Sequence, residues 1–237
     1  MLGEAEETKM MILSSRDAGV TTITLNRSER ANAYNAALLD ELEAALDAVE
    51  TPVVLFAANG RAFCGGADLR EMSHATPEDA RNMRSQRLFE RIASAPFVSI
   101  AAVQGPAVAG GFELCLACDL RVVGPNATFS LPETALGLVP AAGGSTRLPL
   151  LVGASRAKQV ILGGDSIDAE TALAWGVANR LAENPLAEAL AWAHELSKRD
   201  IGAMTAAKRL LGRELSEALE AEREAAAALY AVRNNKA

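Results

Sequence analysis

Side chains able to do chemistry are few in this chain, and they gather beside glycines. Gly110-Gly111 follows an apolar run and opens a helical segment that carries Glu113 three residues on. A helix start leaves unpaired N–H groups and the positive end of its dipole, and glycine lets a ligand oxygen approach that backbone closely. About one turn separates Gly110 from Glu113, so amide and carboxylate can face one small volume, an oxyanion donor beside an acid or base. The same spacing also fits a plain strand–helix turn whose glutamate only complements the dipole. A second pair, Gly65-Gly66, follows another strand-like run and precedes Asp68. Glu133 is the remaining carboxylate of interest, and Ser130-x-x-Glu133 has the form of a capping box, a structural device in its own right. From spacing alone the signal for a site is weak.

Other chemistries find less support. His74 sits in a polar segment and His194 in a C-terminal helix, and both read as surface or packing residues. Cys115 and Cys118 form one Cys-x-x-Cys with no second pair or nearby histidine, so buried packing thiols are expected rather than zinc, and no metal is expected. Dinucleotide, P-loop and Gly-x-Ser-x-Gly patterns are absent. The net charge of −7 over 237 residues argues against a nucleic-acid partner. No apolar run reaches the ~18 residues of a membrane span, and Met1 to Lys9 is acidic rather than signal-like. The default expectation is a soluble cytoplasmic protein.

The elements that must position the candidates follow from periodicity. Met10 to Ser14 and Val20 to Asn26 read as a hairpin. Asn35 caps a helix with Leu38, Leu39, Leu42 and Leu46 on one stripe, Pro52 ends it, and Val53 to Ala58 is a strand. Thr76-Pro77-Glu78-Asp79 starts a helix expected to run to about Ile92. Phe97 to Val103 is the strand that leads into Gly110. Short strands at 120–123 and 127–130 follow, then a short helix from Pro132 and a glycine-rich loop at 137–146. Helices at 154–162 and 168–175 and a last strand at 177–181 precede an all-helical stretch from Pro185. In that stretch Leu215, Leu219, Glu222, Ala226 and Leu229 form a narrow stripe suited to packing on another helix or subunit. Strands alternating with helices point to an α/β chain, mostly parallel, with a boundary near residue 184 as the one candidate division.

Along nearly its whole length the chain resembles the enoyl-CoA hydratase/isomerase, or crotonase, family. The resemblance is carried by Asn26-Arg-Ser-Glu-Arg-Ala-Asn-Ala-Tyr-Asn35, Arg61-Ala-Phe-Cys-Gly-Gly-Ala-Asp-Leu69, Ala101 through Glu113, and Phe129 through Pro140. It implies an α/β spiral of repeated β-β-α units over residues 1–184, a C-terminal helical trimerisation region over 185–237, and homotrimers or dimers of trimers. The implied ligand is an acyl-CoA thioester, with coenzyme A as part of the substrate and no further cofactor. By motif position the oxyanion hole falls on the amides of Gly65 and Gly110, and the two catalytic glutamates on Glu113 and Glu133. Ala33, Ala62, Ala67, Asp68, Leu69 and Ala141 fall at substrate or CoA positions, Ala141 where many relatives have glycine. Lys208 and Arg209 are open between contacts to CoA phosphates and simple solvation. The implied reaction is hydration of a 2-enoyl-CoA; double-bond isomerisation and a non-catalytic acyl-CoA-binding subunit are the alternatives.

Overall fold

The computed structural model describes residues 10–72, 76–212 and 216–234. Strands β1 (Ile12–Asp17) and β2 (Val20–Leu25) form the expected hairpin, Asp17 pairing with Val20 across Ala18-Gly19. Both turn residues have positive φ, 43° and 81°, the turn whose twist matches that of the flanking strands. The later strands are β3 (Val53–Ala58), β4 (Val98–Val103), β5 (Ala107–Val108), β6 (Leu120–Val123), β7 (Thr128–Ser130), β8 (Ile167–Asp168) and β9 (Arg180–Leu181). The main sheet runs β1-β2-β3-β4-β6-β9 and is parallel after the hairpin, while β5-β7-β8 form a small second sheet.

Helices fill the connections: α1 (Ala36–Asp47), α2 (Leu69–Met72), α3 (Pro77–Arg81), α4 (Arg84–Ser94), α5 (Gly110–Ala117), α6 (Gly144–Ile161), α7 (Ala169–Ala174), α8 (Pro185–Leu196), α9 (Ile201–Leu211) and α10 (Ser216–Asn234). Alternate residues of a strand face opposite ways, and here both faces are covered, which is why β3 is apolar throughout. Val54 and Phe56 join the large cluster that includes α1, α4 and α5, whereas Val53 and Leu55 pack with Ala189, Ala193 and Leu196 of α8. Asn35 caps α1 as expected, its side chain accepting from the Leu38 amide.

Three elements differ from the sequence reading. The helix expected from Thr76 to Ile92 is two helices, broken at Asn82 and Met83, where Met83 has φ −54° and ψ 107°. Its halves serve different partners. Arg81 of α3 reaches Glu224 of α10, while Arg84 of α4 is held by Asp40 and Glu43 of α1. The glycine-rich loop ends early, at Gly143, and α6 begins at Gly144 and runs to Ile161 with a non-helical Gly153 inside it, where the sequence predicts only a short helix over 154–162. Ile167–Asp168 pairs with β7, a bridge too short to carry a periodicity signal. In α10, Leu219, Glu222 and Ala226 are buried; Leu215 and the side chain of Leu229 lie outside the described residues, as does His74.

Candidate active site

β4 carries the chain to β5, and Ala109 turns it abruptly into α5. Ala109 adopts φ 52° and ψ −127°, a conformation costly for any residue with a Cβ. Its amide is tied to the Ser130 carbonyl at 2.9 Å. The Gly110 amide that follows finds no acceptor among the described residues, and Gly110 lines a pocket of about 450 Å³. Close approach explains both glycines of this turn: a Cβ on Gly110 would lie 1.9 Å from the Tyr34 hydroxyl, and one on Gly111 2.1 Å from the Cys64 carbonyl oxygen.

The loop from Cys64 to Asp68 runs alongside. Here the expected donor is corrected, because the Gly65 amide is already bonded to the Ala31 carbonyl at 2.9 Å. Tyr34 donates to the Gly66 carbonyl and accepts from the Asp68 amide, so the peptide groups of Ala67 between them point away from Tyr34. The Ala67 amide has no acceptor among the described residues, Ala67 lines the pocket, and Gly66 beside it packs against the Val108–Gly110 backbone. Ala67 and Gly110, not Gly65 and Gly110, are the pair of unspent amides.

Both glutamates reach this pocket. Glu113, on the first turn of α5, is buried and accepts from the Ala142 and Gly144 amides through one oxygen, at 2.7 and 2.8 Å. Burial raises its carboxyl well above the ordinary range, and the nearby charges of Glu133 and Glu222 add to that. Glu133 begins a single 3-10 turn, Glu133–Leu136, behind Pro132. The capping box does not form: Ser130 belongs to β7, and Pro132 occupies the cap position without a side-chain bond. Glu133 Oε2 is buried and has no hydrogen-bond partner among the described residues, and burial raises this carboxyl to about 7. Two acids whose charged forms are both disfavoured tend to share a proton at neutral pH.

The model of the enoyl-CoA hydratase/isomerase family matches residues 15–237. The chain belongs to that family. It is 38% identical over 216 residues to the 2,3-dehydroadipyl-CoA hydratase of Escherichia coli, covering 89% of this chain and 85% of that protein. It is 38% identical over 181 residues to probable enoyl-CoA hydratase 2, mitochondrial, of Arabidopsis thaliana, covering 73% of this chain but only 60% of that protein. Among solved structures, an enoyl-CoA hydratase/isomerase from Xanthobacter autotrophicus superposes with a TM-score of 0.86 at 34% identity, covering 94% of this chain and 88% of that one. The α/β arrangement described above is the crotonase fold.

Within this enoyl-CoA hydratase/isomerase member, the remaining expected residues divide. Leu69 and Ala141 line the same pocket as Ala67, Leu69 largely exposed at its edge and Ala141 buried. Ala33, Ala62 and Asp68 do not line it. The Ala33 carbonyl and the Asp68 carboxylate both accept from Arg27, which holds the Asp68 acid below its usual range. The Ala62 carbonyl accepts from Asn32 and Gln104. Lys208 is spent inside the protein on the Ile92 and Phe97 carbonyls and on Asp119, so it is not a free cation for phosphate. Cys115 and Cys118 are buried thiols pushed upward, Cys118 to about 12. Among the described residues no group of three or more His, Cys, Asp or Glu could hold a metal ion, and no helix is long and apolar enough to cross a membrane.

Sequence reasoning passed over Tyr34, whose ring is buried edge-on against Phe89 and whose hydroxyl abuts Gly110. Its signal was its place directly before the Asn35 cap. Glu222 was noticed only as part of a packing stripe, and a carboxylate inside an apolar stripe is itself the signal.

Proposed function

We propose that the chain is a hydratase acting on a 2-enoyl-CoA thioester. One observation carries this reading: Glu133, with its unpartnered buried oxygen, lines the same pocket as Glu113 and the unspent amides of Ala67 and Gly110. The thioester carbonyl is held between the two amides, which stabilise the enolate formed as water adds; one such donor is worth about 3–4 kcal/mol at the transition state. The carboxyl pair starts with one proton. The ionised member takes a proton from water as its oxygen bonds to C3, the protonated member delivers its own to C2, and the pair ends with one proton as before. Coenzyme A enters as part of the substrate, with no separate cofactor. Leu39, Met83, Leu138 and Val139 give the pocket an apolar wall suited to an aliphatic acyl chain. Assembly into trimers or dimers of trimers belongs to the same reading.

Isomerisation is the second reading. It is favoured by the asymmetry of the acids, since a single carboxylate with a free oxygen, Glu133, suffices to carry a proton between two carbons. Hydration of crotonyl-CoA, read as loss of the conjugated thioester absorbance, separates them. Turnover by the wild type and a fall of about 10²–10⁴-fold in both Glu113→Gln and Glu133→Gln are expected. Turnover surviving in Glu113→Gln, with 3-enoyl-CoA converted faster than 2-enoyl-CoA, overturns the two-acid hydratase in favour of the isomerase.

A further inference from the structure

The C-terminal helix reaches the active site with a carboxyl group. Glu222 of α10 is buried at 7% exposure, and one of its oxygens accepts the Gly143 amide at 2.8 Å. Its other oxygen is hydrogen-bonded to the Thr146 hydroxyl. The amides on either side of Gly143, those of Ala142 and Gly144, both converge on Glu113. Three successive N–H groups are thus shared out between two carboxylates, the middle one drawn one way and its neighbours the other. Gly143 permits this, with φ 109° and no space for a Cβ, since one would lie 1.7 Å from Arg147 Nη1. A second contact fixes the same loop to the same helix: the Gln86 amide group donates to the carbonyls of Ala141 and Leu219.

We infer that Glu222 is a positioning residue for Glu113: α10 clamps the Ala142–Gly144 turn so that its outer amides aim Glu113, and sets the charge Glu113 meets. The inference rests on the reading of Glu113 as a proton carrier. Two effects follow, one geometric and one electrostatic. Without the clamp, the Gly143 amide is buried with no acceptor and the turn relaxes, releasing the two bonds that orient Glu113. With the clamp kept and its charge removed, ionisation of Glu113 becomes easier and its carboxyl titrates lower. The ionisable groups that act on Glu222 are Glu113 of α5 and Arg147 of α6, with Glu90 of α4 also acting on Arg147, and burial raises the Glu222 carboxyl itself. Arg147 makes one bond, to the Ala142 carbonyl, and its Nε and Nη2 are buried without a partner among the described residues, so it cannot neutralise Glu222 through a direct ion pair.

Glu222→Gln retains acceptor and donor for Gly143 and Thr146 while removing the charge; Glu222→Ala removes both. For the Gln variant, the pH window of kcat moves to lower pH with its maximum within about threefold of wild type. For the Ala variant, kcat falls about 10–100-fold with KM within about twofold, the loss expected of a misplaced acid. An isotope-edited infrared titration of the Glu113 carboxyl, identified by its absence in Glu113→Gln, reads the shift without any turnover. It therefore reports on Glu222 even if crotonyl-CoA is not the substrate, and keeps failure here distinct from failure of the hydratase reading. A Glu113 titration unmoved in Glu222→Gln, or a kcat per folded Glu222→Ala molecule equal to wild type, overturns the inference.

Discussion

Glu113 and Glu133 reach one pocket from opposite kinds of support. Glu113 stands on a helix wedged against its neighbours, with one oxygen fixed by two amides and a third carboxylate behind the turn that supplies them. Glu133 stands on a single 3-10 turn, with an oxygen that bonds to nothing among the described residues. The fold thus spends its polar contacts on aiming one acid and leaves the other open toward whatever enters. Fixed geometry and open valence are separate requirements, and the protein meets them with separate residues.

The largest effect comes from breaking the support of Glu113. Gly111→Ala puts a Cβ 2.1 Å from the Cys64 carbonyl, backbone against backbone, and a loss above about 4 kcal/mol or failure to yield folded protein is expected in denaturant titration. Gly137→Ala, at the end of the Glu133 turn, is its counterpart. Nothing lies within 4 Å there and only the left-handed φ of 72° is at stake, so a loss of about 1–2 kcal/mol is expected.

Removing the acids themselves sharpens the contrast. Glu113→Ala strands two buried amides at about 1–3 kcal/mol each, whereas Glu133→Ala removes an acid whose Oε2 has no partner among the described residues and leaves stability near wild type at pH 5. Stability against pH should then separate Glu133→Gln from the parent. The folded carboxyl titrates at about 7 against an ordinary 4.5, so its neutral form favours folding below 4.5 and that contribution is lost as pH rises through 7. Glu133→Gln should gain up to about 3 kcal/mol on the wild type between pH 4 and pH 8. A flat difference across that window would show Glu133 to be solvated in the folded protein.

Much of this is legible in the amino-acid sequence. The strand, glycine pair and Glu113 form one continuous stretch, and Asn35 announced its helix by residue type and spacing. What stayed hidden depended on direction or on distance along the chain. Residue type does not tell which way a peptide group points inside a glycine turn, so the sequence does not distinguish the spent amide of Gly65 from the unspent one of Ala67. Ser130 and Glu133 have capping-box spacing, but pairing of β7 with β5 and β8 keeps Ser130 extended and outside the turn. The halves on either side of Met83 meet two partners, α10 and α1, that lie far apart in sequence. Glu222 meets Gly143 from 79 residues away.

Ala109 leaves one more consequence. An alanine held at φ 52° and ψ −127° is a spring kept bent by its neighbours, the Ser130 carbonyl among them. Glycine would rest there without strain, so a chain selected for durability alone would gain by the exchange. The methyl group's presence instead removes the other backbone paths a glycine could take, and the amide of Gly110 inherits that narrowed choice. At this position the molecule trades thermal endurance for aim.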